Sequence, residues 1–257
     1  MFRSSRLSGV TIIIGALGLL ANYARADFNI NFATSDGGLT PSLVSGTDNG
    51  GGWAYGNAAP SVGGLPTWFL PGQNGVSAFG LTTPSLLVAS AGQVTGTFTH
   101  RFSFEGTETP FDSGQIQFSV NGGAFNTIPA NLISATSYGT TLVSNAHGNV
   151  MGNQFAFEFE STGYSVPSYV TSNFILGTGA APFSTGSAST FVAGDHIEFR
   201  FLAAYDPLVF GPNPDWQIAS LNITNATSVP EPSTFVLAAL SFGGLGFAVR
   251  RKKLHRG

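Results

Sequence analysis

Four runs of this chain alternate apolar and polar residues at a period of two, and between residues 27 and 229 nothing repeats at the 3.6-residue period of a helix. In Thr97 to Glu105, Phe98, His100, Phe102 and Phe104 share one face, while Thr97, Thr99, Arg101, Ser103 and Glu105 share the other. Gln115 to Val120, Phe155 to Glu160 and Ile197 to Phe201 repeat the pattern, and a last strand is expected over Trp216 to Thr224. Strands that are apolar on one side only belong to antiparallel sheets with one wet face. Asn121-Gly122-Gly123 tolerates positive φ and closes a hairpin onto Phe125 to Ile128. The expectation is an all-β chain, an antiparallel β-sandwich of jelly-roll type. The Gly-rich stretch that follows residue 27 predicts one edge strand near Phe28 to Ala33 and then long loops.

Zero cysteine excludes a disulfide scaffold, thiolate metal sites and a thiol nucleophile. The formal net charge of −3 averages opposite regions. Eight of the ten basic residues lie in the first 25 or the last eight positions, so residues 27–229 set Arg101 and Arg200 against twelve carboxylates, a net −10. Such a surface repels phosphate backbones, which excludes nucleic acid as a partner; cations and neutral polymers such as glycans remain compatible.

Both ends read as addresses. Arg3 and Arg6 precede a 12-residue apolar run, Val10 to Ala21, too short to span a bilayer comfortably. Ala24-Arg25-Ala26 is a small-x-small site for signal peptidase, making 1–26 a signal peptide and 27–229 the exported domain. Residues 230–257 combine an extended Val229-Pro230-Glu231-Pro232-Ser233-Thr234 strip, a short apolar helix over Phe235 to Val249, and a basic stop containing Arg250, Arg251, Lys252 and Lys253. This order resembles the PEP-CTERM sorting signal of Gram-negative bacteria. The resemblance implies export, transient anchoring in the inner membrane by a short transmembrane helix, processing by an exosortase at the Pro-Glu-Pro strip, and a destination at the cell surface or in an extracellular, biofilm-type matrix.

A second resemblance concerns the body. Phe111-Asp112-Ser113-Gly114-Gln115-Ile116-Gln117-Phe118-Ser119-Val120-Asn121-Gly122-Gly123 resembles a hairpin of MAM-like and CUB-like jelly rolls, and Ala193 to Phe201 and Asp215 to Ile218 fit the order of later strands there. Such modules bind glycans, calcium or other proteins, or act as spacers.

Chemistry is sparsely signposted. No two of His100, His147, His196 and His255 have metal-ligand spacing, and His100, on an apolar face, reads as a satisfied core residue. There is no G-x-S-x-G, P-loop or H-E-x-x-H. Asp112-Ser113-Gly114 has no second copy with which to share a proton, and reads as hairpin entry. Calcium is the best inorganic candidate because hard cations want several oxygens: Glu105, Glu108 and Asp112 bracket one loop, and Asp195, Asp206 and Asp215 sit near strand ends. No other cofactor is implied. For polysaccharide, the rings that could stack on sugar faces are Trp53, Tyr55 and Trp68, whereas Trp216 is expected in the core. Arg101 and Arg200 are expected on wet faces, each paired across its sheet with a contribution below about 1 kcal/mol. The expectation is a non-enzymatic exported protein, structural or glycan-associated; the competing class is a secreted hydrolase or lyase acting on polysaccharide.

Overall fold

The computed structural model describes residues 27–48, 51–57, 63–166, 168–177, 190–207 and 215–229. The signal segment with Ala24 and Ala26, and the tail from Pro230 through Glu231, Pro232, Ser233 and Thr234 to the basic stop, lie outside the described residues.

In chain order the strands are β1 (Phe28–Asn31), β2 (Thr40–Gly46), β3 (Ala54–Gly56), β4 (Thr67–Leu70), β5 (Ser77–Thr82), β6 (Leu86–Val88), β7 (Val94–Phe102), β8 (Ser113–Val120), β9 (Asn126–Thr127), β10 (Ile133–Ala135), β11 (Val170–Leu176), β12 (His196–Tyr205), β13 (Trp216–Thr224) and β14 (Ala226–Ser228). All pairings are antiparallel. One sheet runs β10-β11-β7-β13-β4-β3, with β1 also on β13; the other is built on β12, which pairs with β5, β6 and β8. Each sheet has one long central strand, and on one flank of it two short strands lie end to end. Trp216 to Ile218 of β13 face β4 while Ser220 to Ile223 face β1; His196 and Ile197 of β12 face β6 while Arg200 to Tyr205 face β5. Among the described residues the sole helical element is a 3-10 turn at Ala130–Leu132.

The alternation decides what fills the space between the sheets. Phe98 and Phe102 of β7, Ile116 and Phe118 of β8, Ile197, Phe199 and Phe201 of β12, and Trp216, Ile218 and Leu221 of β13 form one core. Most of its rings meet tilted or edge-on, as Phe98 and Phe201 do at 5.2 Å and Phe201 and Trp216 at 5.8 Å, while Phe102 and Phe104 stack. His100 is wholly buried there and satisfied by a directed chain. Trp216 Nε1 donates to His100 Nδ1 at 3.1 Å, and Nε2 pairs with Ser172 Oγ at 2.8 Å. Ser172 Oγ in turn donates to the Thr136 carbonyl. Burial lowers the His100 pKa to about 3, so the ring stays neutral and in the core, as the sequence implies.

Four expectations are corrected. The segment after residue 33 is not loop: β2, β3, β4 and β5 follow, their alternation hidden by Gly, Ser and Pro. Phe155 to Glu160 is not a strand; it touches the sheets through isolated bridges at Phe157 and Glu160, and Phe159 takes φ 57, which breaks an extended run. The outer faces are not uniformly wet, because residues 136–166 wrap the open side of the sandwich. Val143, Met151 and Ala156 from this wrap bury Ala78, Leu202 and Ala204 in a second small core, and Gln115, Gln117 and Ser119 are buried as well. Arg101, finally, is fully buried rather than exposed. Its guanidinium lies 4.1 Å from the Tyr164 ring centre and donates to the Tyr164 carbonyl at 2.9 Å. Arg200 does pair across its sheet, but with a neutral partner: Nε and a terminal nitrogen both donate to Gln117 Oε1, and its guanidinium sits 4.0 Å from the Phe125 ring centre.

Candidate functional site

Antiparallel pairing places the start of one strand beside the end of its neighbour. β8 and β12 pair from Ile197↔Val120 to Ala204↔Ser113, so Asp112, just before β8, and Asp206, just after β12, meet at the sheet's end. The Asp206 amide donates to Asp112 Oδ1 at 2.9 Å. From the other sheet β7 delivers Glu105, three residues past its last member, and β13 begins beside Asp215, whose carbonyl accepts from the Ser103 amide at 2.8 Å. Carboxylates from the ends of four strands, two in each sheet, therefore gather at one end of the sandwich.

One oxygen from each of Glu105, Asp112 and Asp206 lies within 4.8 Å of the others, which suits three oxygens bound at 2.3–2.6 Å to one cation. Asp112 and Asp206 are 1 % exposed and Asp215 is fully buried. Both Asp215 oxygens, the Tyr205 hydroxyl and Glu105 Oε2 are shielded from solvent and, among the described residues, accept or donate no hydrogen bond. Buried polar atoms left in this state cost about 1–3 kcal/mol each unless something fills the gap.

The electrostatics agree. Desolvation, opposed by the Asp206 amide and reinforced by Glu105, Asp206 and Asp215, pushes Asp112 up to about 8. Desolvation and Glu105 push Asp215 to about 8 as well. Glu105 is raised by burial and Asp206, with His147 acting in opposition, and Tyr205 is raised by burial, Asp215 and Asp112. Without a counter-charge Asp112 and Asp215 hold protons at neutral pH; a divalent cation is the species that would replace them. Oxygen-only donors from acids and a hydroxyl fit a hard cation.

Of the sequence candidates, Glu105 and Asp112 converge, while Glu108 lies exposed on the loop between them. Asp206 and Asp215, noticed only as strand-end acids, complete the group. Asp195 is elsewhere: its side chain accepts from Asn121 Nδ2 and the Val192 amide.

The aromatic candidates do not form a sugar platform. Trp53 and Trp68 are buried, with their Nε1 groups donating to the carbonyls of Phe79 and Asp36. Tyr55 is 38 % exposed, but its hydroxyl is tied to the Phe32 carbonyl at 2.8 Å and its ring leans on Trp68. The Gly-rich setting of Trp53 gave no sign of this; the ring fills the core 5.6 Å from Trp216.

A cleft of about 330 Å³ opens on the outer face of the β12 sheet, lined by Ser85, Ser119, Asn121, Gly122, His196 and Glu198. The sequence reading did not single it out, because its residues come from two strands, β8 and β12, the β5–β6 connection and one turn.

Residues 228–252 match the model of the PEP-CTERM protein-sorting motif. No curated protein matches the chain in sequence. Among solved structures, TmCBM61 in complex with β-1,4-galactotriose is similar at 13 % identity, over 75 % of this chain and 92 % of its own, with a TM-score of 0.37. The family 35 carbohydrate binding module from Clostridium thermocellum is similar at 14 % identity over 76 % of this chain and 97 % of its own, TM-score 0.32. The Emp46p carbohydrate recognition domain follows at 10 % identity, 75 % and 89 % coverage, TM-score 0.32.

Proposed function

We propose that this chain, which carries a PEP-CTERM sorting motif at its C-terminal end, is an exported, non-catalytic module of the cell surface or extracellular matrix, associated with polysaccharide and stabilised by calcium. In this reading signal peptidase cuts after Ala26, the tail holds the chain briefly in the inner membrane, and an exosortase processes it at Pro230-Glu231-Pro232.

The observation that carries the non-catalytic part is the placement of the acids. A glycosidase needs two carboxyl groups facing each other across a space that admits the sugar chain. Among the described residues the acids that gather are Glu105, Asp112 and Asp206 with Asp215, and three of those four are sealed under the strand ends. That position suits a structural cation. Calcium held by Glu105, Asp112 and Asp206, with Asp215 and Tyr205 beside it, would cancel their mutual repulsion and tie the ends of both sheets together. The net −10 of the exported part favours neutral polymers over anionic ones.

The test uses the chain expressed in a host that has an exosortase. Released protein should start at Asp27, lack every peptide containing Leu245, stay bound to matrix polysaccharide on washing, and release no reducing ends from it. Retention of Leu245, or turnover of the polysaccharide, would contradict the proposal.

A further inference from the structure

The outer face of β12 changes character along its length. Its outward residues are, in order, His196, Glu198, Arg200, Leu202 and Ala204. Leu202 and Ala204 are sealed beneath Val143, Met151 and Ala156, whereas His196 is exposed and Glu198 and Arg200 are half-buried. The wrap ends where the polar residues begin, and the cleft lies over His196 and Glu198. The geometry points to a binding groove there for a neutral, hydroxyl-rich sugar unit. This rests on the glycan-associated reading above and gives it a place.

The cleft crosses the sheet. On one side is Ser85, at the seam where β5 stops and β6 starts; the seam is held by the Thr83 amide donating to the Phe199 carbonyl and the Phe199 amide donating to Thr83 Oγ1. On the other side are Ser119, paired in register with Glu198, and the β8–β9 turn. The walls are fixed before any ligand arrives. Asn121, at φ 52, accepts from the His196 amide at 2.8 Å and donates to Asp195 at 3.0 Å; Ser119 Oγ donates to the Gly123 carbonyl; Ser85 Oγ pairs with His196 Nδ1 at 3.2 Å. Arg200 is pinned to Gln117.

Glu198 is the exception. Among the described residues its carboxylate takes no hydrogen bond, and it lines the cleft half-buried, opposite Ser119 in register and two residues from His196 on the same face. A carboxylate accepts only, so it matches adjacent hydroxyls that both donate; the imidazole and the serine hydroxyls can donate or accept in return. A sugar unit, with donor and acceptor at every hydroxyl, satisfies that set, and walls that need no ordering reduce the entropy lost on binding. The half-exposed Phe125 ring, packed on the Arg200 guanidinium one step along the same face, extends the groove with an apolar surface for a ring's C–H face.

The experiment is affinity electrophoresis of the full chain, in a polyoxyethylene detergent, through gels cast with a soluble galactan, mannan, xylan or β-glucan. At least one polymer should retard the protein, Glu198→Ala and His196→Ala should each weaken retardation at least tenfold, and Asp36→Ala, on an exposed turn, should not. If Glu198→Ala lowers the melting temperature, Glu198→Gln, of equal size, carries the comparison. Undiminished retardation of the Glu198 variants would overturn the groove while leaving the glycan reading intact. Retardation that vanishes with Asp112→Asn and not with Glu198→Ala would move the sugar to the acidic end. No retardation of the unaltered chain by any polymer would overturn both the groove and the glycan association.

Discussion

Calcium binding at the acidic end should be steeply pH-dependent, because it must displace two protons. Asp112 and Asp215 each sit at about 8 without a cation. If both must ionise before calcium enters, the apparent affinity carries a factor of about (1 + 10^(8−pH)) squared, which makes the dissociation constant about a hundredfold weaker at pH 7 than at pH 9. That is about 2.7 kcal/mol of binding energy. The cation-free protein moves the opposite way. A carboxyl whose folded pKa is raised contributes stability that is complete below its unfolded value of 3.8 and is lost as pH rises through 8. Melting without calcium should therefore fall between pH 7 and 9, while the calcium-induced rise widens. At a hundredfold excess over the dissociation constant that rise corresponds to about 2.7 kcal/mol, or about 5–10 °C for a domain of this size. Isothermal titration in buffers of different ionisation enthalpy counts the protons directly. A release near two protons per calcium at pH 6.5, falling towards zero at pH 9.5, supports the reasoning. An affinity that does not change with pH refutes it.

Three further outcomes follow from single side chains. Asp215→Asn removes a buried charge whose oxygens have no hydrogen-bond partner among the described residues; it should raise the melting temperature of the calcium-free protein at pH 9 and shrink the calcium response, both readable by scanning calorimetry. Arg101→Ala should cost about 2–4 kcal/mol in a denaturant titration, well beyond an exposed pair, because it empties a buried site packed on Tyr164. Asn225→Ala should cost about 2–3 kcal/mol by the same method, since one fully engaged amide accepts from Ser90 and donates to the carbonyls of Ser90 and Gln93, joining the β13–β14 corner to the start of β7.

What the sequence made legible was whatever rests on period-two alternation over a long strand. β12 and β13 carry clean patterns, and the expected bounds of Trp216 to Thr224 coincide with β13. The Asn121-Gly122-Gly123 turn needs positive φ at Asn121 and Gly122, and both residues supply it. Several strands were invisible, although β1 lies within the expected Phe28 to Ala33 and β9 within the expected Phe125 to Ile128. β3 is three residues long and ends on a glycine, and β2, Thr40–Gly46, is exposed at every position, so neither shows alternation against a core. Phe155 to Glu160 misled because alternation in a wrap that dips into a core at Phe157 looks the same as alternation in a sheet. Arg101 misled for a related reason. A residue on the outward side of a strand reads as wet until something covers it, and the cover, Tyr164, lies 63 positions away. The acidic end was half legible: Glu105 and Asp112 are close in sequence, but their companions Asp206 and Asp215 join them only because antiparallel pairing returns strand ends to one place.

The most direct measurement is the metal content of the full-length protein, dialysed at pH 8.5 against micromolar calcium and read by plasma mass spectrometry. One equivalent of calcium per chain, absent from an Asp112→Asn, Asp206→Asn double variant that still melts cooperatively, is the result expected. Sub-stoichiometric calcium in the unaltered chain, or a full equivalent retained by the double variant, would contradict a cation joining the two sheets at their acidic end.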